Sequence, residues 1–194
     1  DLVSEVMTCN ASQGKSAYAA IINRLDRPVS GLVLIARNKS AAAKYSTLMQ
    51  KEGGFNKQYE ALICGKLSEP KGTFVDYLKK DGRTNTSAIV PADAAANDKD
   101  AKLSKLEYEV ISYDEVKDIT HVRIHLITGR HHQIRVQFAS RRHPLVGDYK
   151  YATADCGMDN AVKAVALKRN QIALCAVSLT VDNKTYSVAP EFLL

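Results

Sequence analysis

One carboxylate stands between two guanidinium groups in the segment Asn23-Arg24-Leu25-Asp26-Arg27-Pro28-Val29-Ser30-Gly31. Read as a plain surface turn, such an ion pair adds little to stability. Read as a site, it is a carboxylate kept in its charged form by adjacent positive charge, and such a group can act as a covalent nucleophile. A second segment, Thr128-Gly-Arg-His-His-Gln-Ile-Arg135, sets a glycine and two arginines around a helix start, a pattern suited to phosphate. On that helix, starting at His132 and running to about Ser140, His132, Arg135, Val136 and Ala139 share a face. Arg135 then lies on a half-buried side, where a lone guanidinium is costly and a carboxylate partner is expected.

The elements that must hold these groups are mostly strands. Asp1 to Cys9 reads as a short helix or irregular segment, followed by an apolar run at Tyr18–Ile22. Residues 31–36 read as one continuous apolar strand. Asn38 or Ser40 caps a helix through about Lys51, with Gly53-Gly54 as its stop. In the strand Lys57–Gly65, Tyr59, Ala61 and Ile63 share one face, with Leu62 and Cys64 on the other. A hairpin over 73–90 turns at Asp81-Gly82. Residues 91–100 are the clearest loop. A second hairpin pairs Leu106–Tyr113 with Ile119–Ile127, and residues 161–188 return to strands. In its last strand Val122, Ile124 and Leu126 face a core while His121, Arg123 and His125 form a basic surface. Few helices and many hairpin strands predict an α+β fold with a mixed, mostly antiparallel central sheet.

Charge is unevenly placed. The 194 residues carry 27 Lys and Arg against 21 Asp and Glu, a net of +6, which alone favours an anionic partner only mildly. From Ile119 to Gly147 there is no acid, yet Arg123, Arg130, Arg135, Arg141, Arg142 and all five histidines lie there. That window suits phosphate, or reads equally as a solvated basic face. Cys9, Cys64, Cys156 and Cys175 form no CxxC pair, so neither a zinc ribbon nor a disulfide framework is indicated, and reduced, mostly buried thiols are expected. No apolar run reaches the ~20 residues of a bilayer span, and no signal peptide is visible; the thiol pattern sets the expectation of a cytoplasmic protein, off the membrane. Tyr18, Tyr45, Tyr108 and Tyr151 read as packing residues, and Lys44 as a solvated helix position.

Taken together and in order, these segments resemble the pseudouridine synthases of the RluA type, which isomerise uridine in ribosomal or transfer RNA. Arg24-Leu-Asp-Arg27 with Ser30-Gly-Leu32 and Ala36-Arg-Asn38 is similar to the family's catalytic segment. Lys57-Gln-Tyr59-Glu-Ala61 with Gly65 resembles its second motif. Thr128–Arg135 resembles its third, followed by His143-Pro-Leu-Val-Gly-Asp148; Leu174-Cys-Ala176 and Ala189-Pro-Glu-Phe192 resemble its final strands. The resemblance implies two lobes flanking a catalytic cleft and makes Asp26 the essential aspartate. It makes Tyr59 the ring that stacks on a flipped uracil and handles the proton at carbon 5, and Arg135 the partner of the aspartate. Arg24 and Arg27 would flank the site, Arg130 and His132 would support the cleft or the RNA backbone, and Arg123, Arg141 and Arg142 would add to RNA binding. No cofactor or metal is implied, and the partner is RNA (rRNA or tRNA).

The chain departs from the pattern at Asn23, Pro28-Val29, His131 and Cys175, none of them the Asp, Tyr or Arg positions. The family's first core strand has no clear match before residue 20, nor does its separate N-terminal RNA-binding domain. The expectation is a monomeric single catalytic domain over 1–194, shortened at its N-terminal side. Three alternatives are weaker. A non-catalytic RNA-binding module has no need of Asp26, Tyr59 and Arg135 together. A metal hydrolase on His121, His125, His131 or His132 lacks a nearby carboxylate. A two-carboxylate glycosidase needs a second acid, which the acid-free window argues against.

Overall fold

The computed structural model describes residues 2–51, 54–165, 167–168 and 170–192. In chain order the elements are α1 (Leu2–Ser12), β1 (Ala20–Ile21), β2 (Ser30–Gly31), β3 (Ile35–Ala36), α2 (Lys39–Gln50), β4 (Asn56–Cys64), β5 (Lys71–Asp81) and β6 (Thr86–Val90). There follow α3 (Ala92–Ala95), β7 (Lys102–Asp114), β8 (Ile119–Leu126), α4 (Gln133–Ala139), α5 (Met158–Ala164), β9 (Leu174–Val181) and β10 (Lys184–Ser187). Eight strands form one sheet in the order β10-β9-β4-β8-β7-β5-β6, with β2 added beside β9. Among the described residues only the β2–β9 pairing is parallel. The expected α+β class with a mixed, mostly antiparallel sheet is therefore what the chain adopts.

The alternation along β8 decides which face is core. Val122, Ile124 and Leu126 join Tyr59, Ala61 and Ile63 of β4 beneath Ile134 and Phe138 of α4. The opposite face of the same strands is split: Leu62 and Cys64 pack under α5, whereas Glu60, His121 and Arg123 pair with one another. Phe74, Tyr108 and Phe138 close the far end, with ring centroids 4.9 to 5.9 Å apart.

Local differences from the sequence reading have local causes. The run 31–36 is not one strand. Gly31, at φ +118°, pairs with Ala176 of β9, after which the chain leaves that edge and rejoins β1 through β3. Helix α2 starts where its cap predicts, since the Asn38 side chain accepts the Ala41 amide proton at 2.7 Å; Gly53 of the expected stop lies outside the described residues. The 91–100 loop contains the single helical turn α3. Residues 189–192 are irregular rather than a strand, although Phe192 is buried; Pro190 has no amide proton to give a ladder.

The connection between β1 and β3 carries Asp26 and is fastened at several points. The Asn23 amide donates to the Leu32 carbonyl at 3.1 Å and its oxygen accepts from Leu34 N–H at 2.6 Å. The Pro28 carbonyl accepts from Ile172 N–H at 3.1 Å, and Leu32 N–H donates to the Ala176 carbonyl at 3.0 Å. Leu25 and Val29 dip into the core. At Gly31 a Cβ atom would lie 2.4 Å from the Ala176 carbonyl oxygen, so both φ and space require glycine. Gly31→Ala should lower stability by about 1–3 kcal/mol, read as a drop in the thermal unfolding midpoint; an unchanged midpoint would refute this account of the loop.

Candidate active site

Asp26 sits on that fastened loop, 29% exposed at its side chain, and faces the start of α4. Arg135 Nη1 donates to its Oδ2 at 3.2 Å, and His132 Nε2 lies 3.6 Å from the same oxygen. Its other oxygen, Oδ1, makes no hydrogen bond among the described residues. The sequence placed Arg24 and Arg27 beside this carboxylate, but both are exposed and neither bonds to it. The cation that reaches Asp26 comes from a helix 109 positions later.

Arg135 is buried at 5% exposure and held from behind. Its Nε and Nη2 each donate to the carboxylate of Asp148 at 2.7 Å, a two-pronged pair with an acid only 1% exposed. Burial works against the guanidinium charge, but the bonds and charge of Asp148, then of Asp26, outweigh it and raise the Arg135 pKa. Asp148 is the acid that the carboxylate-free window hides, lying one residue past it. With both oxygens engaged by Arg135, it is a support rather than a second reacting acid.

Helix α4 is buried on every side, not on one face: Gln133, Ile134, Arg135, Val136, Gln137 and Phe138 are all inside. Its polar groups are satisfied rather than solvated. Gln133 accepts from Thr128 Oγ1 and Arg130 N–H and donates to Gln137, which in turn donates to Asp76 at 2.7 Å. His132 is not part of the helix but precedes it with left-handed backbone.

These groups line a cleft of about 400 Å³, the size of a small-ligand site. Asp26, Tyr59, Arg135, Arg24, Arg130 and His132 all line it. Tyr59 rises from β4 at 8% exposure, and burial, then the charge of Asp26, pushes its pKa up to about 12. Its hydroxyl stays protonated at neutral pH. Lys57, two residues earlier on the same face, also lines the cleft. Burial first and Arg130 second lower its pKa, and among the described residues its ammonium hydrogen-bonds only Met49 Sδ, at 3.9 Å.

The remaining arginines do not converge there. Arg123 lies on the outer sheet face, bonded to Glu60 at 3.0 Å. Arg141 is spent on Asp76 at 3.0 and 3.1 Å and on the ring of Phe74, 4.0 Å from its centroid. Arg27 and Arg142 are exposed and away from the cleft lining. The histidines are dispersed among separate partners: Glu60, Glu107, Ser87, Tyr151 and the Cys64 carbonyl. Tyr151, expected only to pack, hydrogen-bonds His132. Lys44, expected to be solvated, pairs with Asp182 at 2.7 Å. Cys64 and Cys175 are buried, Cys9 is exposed, and all four thiols are free.

Known proteins share this arrangement of chain. "Ribosomal large subunit pseudouridine synthase D" of Blochmanniella floridana is 36% identical over 138 residues, covering 70% of this chain and 39% of that protein. The protein of the same name from Vibrio vulnificus (strain CMCP6) is 30% identical over 177 residues, covering 90% of this chain and 51% of that one. The chain thus spans about half, or less, of these curated relatives. The solved structure of Human RNA Pseudouridylate Synthase Domain Containing 4 superposes with a TM-score of 0.76 at 17% identity, covering 98% of this chain and 78% of that one. Human RNA Pseudouridylate Synthase Domain Containing 1 gives 0.70 at 24% identity, covering 90% and 69%. At those identities they speak for the fold alone. The family described as RNA pseudouridylate synthase matches residues 1–140, well over half of the sequence and inclusive of Asp26, Tyr59 and Arg135, so the chain belongs to the RNA pseudouridylate synthase family.

Proposed function

We propose that the chain isomerises uridine to pseudouridine in structured RNA, ribosomal or transfer, with Asp26 as its essential group. The observation that carries this reading is the carboxylate itself. One oxygen of Asp26 is faced by Arg135 and His132, the other has no hydrogen bond among the described residues, and both stand in a cleft shared with a buried tyrosine. A module that only bound RNA would gain nothing from burying that arginine at an acid's expense.

The reaction breaks the bond from ribose C1′ to uracil N1 and makes one from C1′ to C5. The proton on C5 is lost and N1 gains one, so the atoms balance within the nucleotide. The base must first leave its stack, at a cost of a few kcal/mol. Tyr59 offers an aromatic face that recovers about 1–3 kcal/mol on stacking. Asp26 Oδ1 attacks the sugar, adds to the base or assists its departure, while Arg135 holds Oδ2. Tyr59, protonated at neutral pH, takes part in moving the C5 proton with Asp26 close by. Arg24, Lys57 and Arg130 provide positive charge for the RNA backbone around the flipped nucleotide.

Asp26→Asn should abolish tritium release from uridine-labelled RNA while changing the melting temperature little, because the side chain is partly exposed; retained turnover would remove Asp26 as the essential group. Tyr59→Phe keeps the stacking face, so RNA affinity should hold while turnover falls, and normal turnover would end its proton role. Salt offers a separate check. Arg123 and Arg141 are tied to acids, which leaves three cleft cations, and the log–log slope of single-strand binding against salt should be about −2. A flat response would contradict a cationic cleft.

A further inference from the structure

A line of polar groups runs from Asp26 into the protein. His132 is buried, and its backbone lies in the left-handed region at φ 53°. A side chain other than glycine takes that conformation at a cost, and such residues cluster at working sites. Its Nε2 faces Asp26 Oδ2, and its Nδ1 lies 2.6 Å from the Tyr151 hydroxyl. The hydroxyl accepts the backbone N–H of Ser87 at 2.9 Å. His131 stacks on the imidazole with ring centroids 3.8 Å apart, itself bonded to Ser87 Oγ at 2.9 Å. The Tyr151 ring also lies 5.2 Å from the Arg135 guanidinium, so both groups that face Asp26 Oδ2 lean on one tyrosine.

The proton inventory allows three states of this ring. With the proton on Nδ1, a bare Nε2 lone pair would point at a carboxylate oxygen, and the phenol would accept two N–H groups while its own proton found no partner in this line. With the proton on Nε2, the Tyr151 hydroxyl donates to Nδ1 and the Nε2–H faces the Asp26 carboxylate. A doubly protonated ring would place charge in a buried spot beside Arg135, with His131 and Lys150 adding to the opposition and only Asp26 in favour. Burial first and Arg135 second pull the His132 pKa down to about 4.

We propose that Tyr151 locks His132 as the neutral Nε2–H tautomer, making His132 a positioning residue whose N–H holds Oδ2 of Asp26 and leaves Oδ1 for the nucleotide. The assignment deepens the isomerase reading above and rests on it for its kinetic part. At 3.6 Å Nε2 and Oδ2 stand just outside hydrogen-bond range; the proposed hold forms when RNA fills the cleft and the gap shortens.

Nitrogen-15 spectra of histidine-labelled protein read the tautomer without any turnover. The expected result at neutral pH is a protonated Nε2 and an unprotonated Nδ1 for His132, with no imidazolium until the medium is well below the ordinary histidine pKa of about 6.5. A protonated Nδ1 or an imidazolium at neutral pH would overturn the proposal. In Tyr151→Phe the titration midpoint of His132 should rise, because the neutral ring loses its O–H donor, yet stay below the ordinary value while burial and Arg135 remain, and kcat should fall about 10-fold with KM for RNA unchanged. His132→Gln, which keeps a neutral N–H near the Nε2 position, should retain more kcat than His132→Ala. A kcat equal to wild type in Tyr151→Phe and in His132→Ala would refute the positioning role. Absence of turnover in the wild-type protein would defeat the isomerase reading, whereas the tautomer is judged by its spectrum in either case.

Discussion

Arg135 is buried with its three nitrogens divided between two acids, two on Asp148 and one on Asp26. The division is unequal, and the inequality matters. The contacts to Asp148 are short and paired, and they orient the guanidinium plane as a fixed fork. The contact to Asp26 is single and longer, made to an acid still partly open to the cleft. Burying such a trio is poor value for stability alone, because desolvation offsets most of the Coulomb gain. Its benefit is orientation. A positive group stands at a set place beside Asp26 before any nucleotide arrives, which is the condition for electrostatic help at a reacting centre.

The rest of the architecture serves that placement from two directions. From one side, β4 and β8 carry the floor of the cleft, and α4 lies buried across them on a network of Gln133, Gln137 and Asp76. A helix with this many polar residues can be enclosed only when each finds a partner. From the other side, Asn23, Pro28 and Gly31 tie the Asp26 loop to itself and to the β9 edge. Neither half makes a site alone; the sheet brings them within reach.

Asp26 and Arg135 of the proposed site were legible in the sequence because their chemistry is unusual, and Tyr59 because its motif resembles the family's. An acid among arginines and an arginine on a half-buried helix face each need explaining; the aromatic on β4 stands out only through the resemblance, and order along the chain ties the three together. Period-two patterning also read which residues of β4 share a face and which residues of β8 face the core, though both faces of β4 are packed. What stayed hidden depends on tertiary neighbours. Whether Arg123 or Arg141 is free for RNA turns on Glu60 and Asp76, which lie 63 and 65 positions away. Asp148 lies on a loop after α4, where no periodicity links it to Arg135. Tyr151 looks like any packing tyrosine until Ser87 and His132 are set beside it. The apolar run 31–36 read as one strand because pattern cannot register that Gly31 and Ala36 pair with different partners.

The shared guanidinium is tested most directly by removing its rear support. Asp148→Asn trades a carboxylate for an amide against a buried Arg135, at a side chain only 1% exposed and absent from the cleft lining. The account predicts a loss of about 3–5 kcal/mol in unfolding free energy, and a fall in single-turnover rate with the variant saturated by RNA and held below its melting transition. Wild-type stability and wild-type turnover in that variant would contradict it.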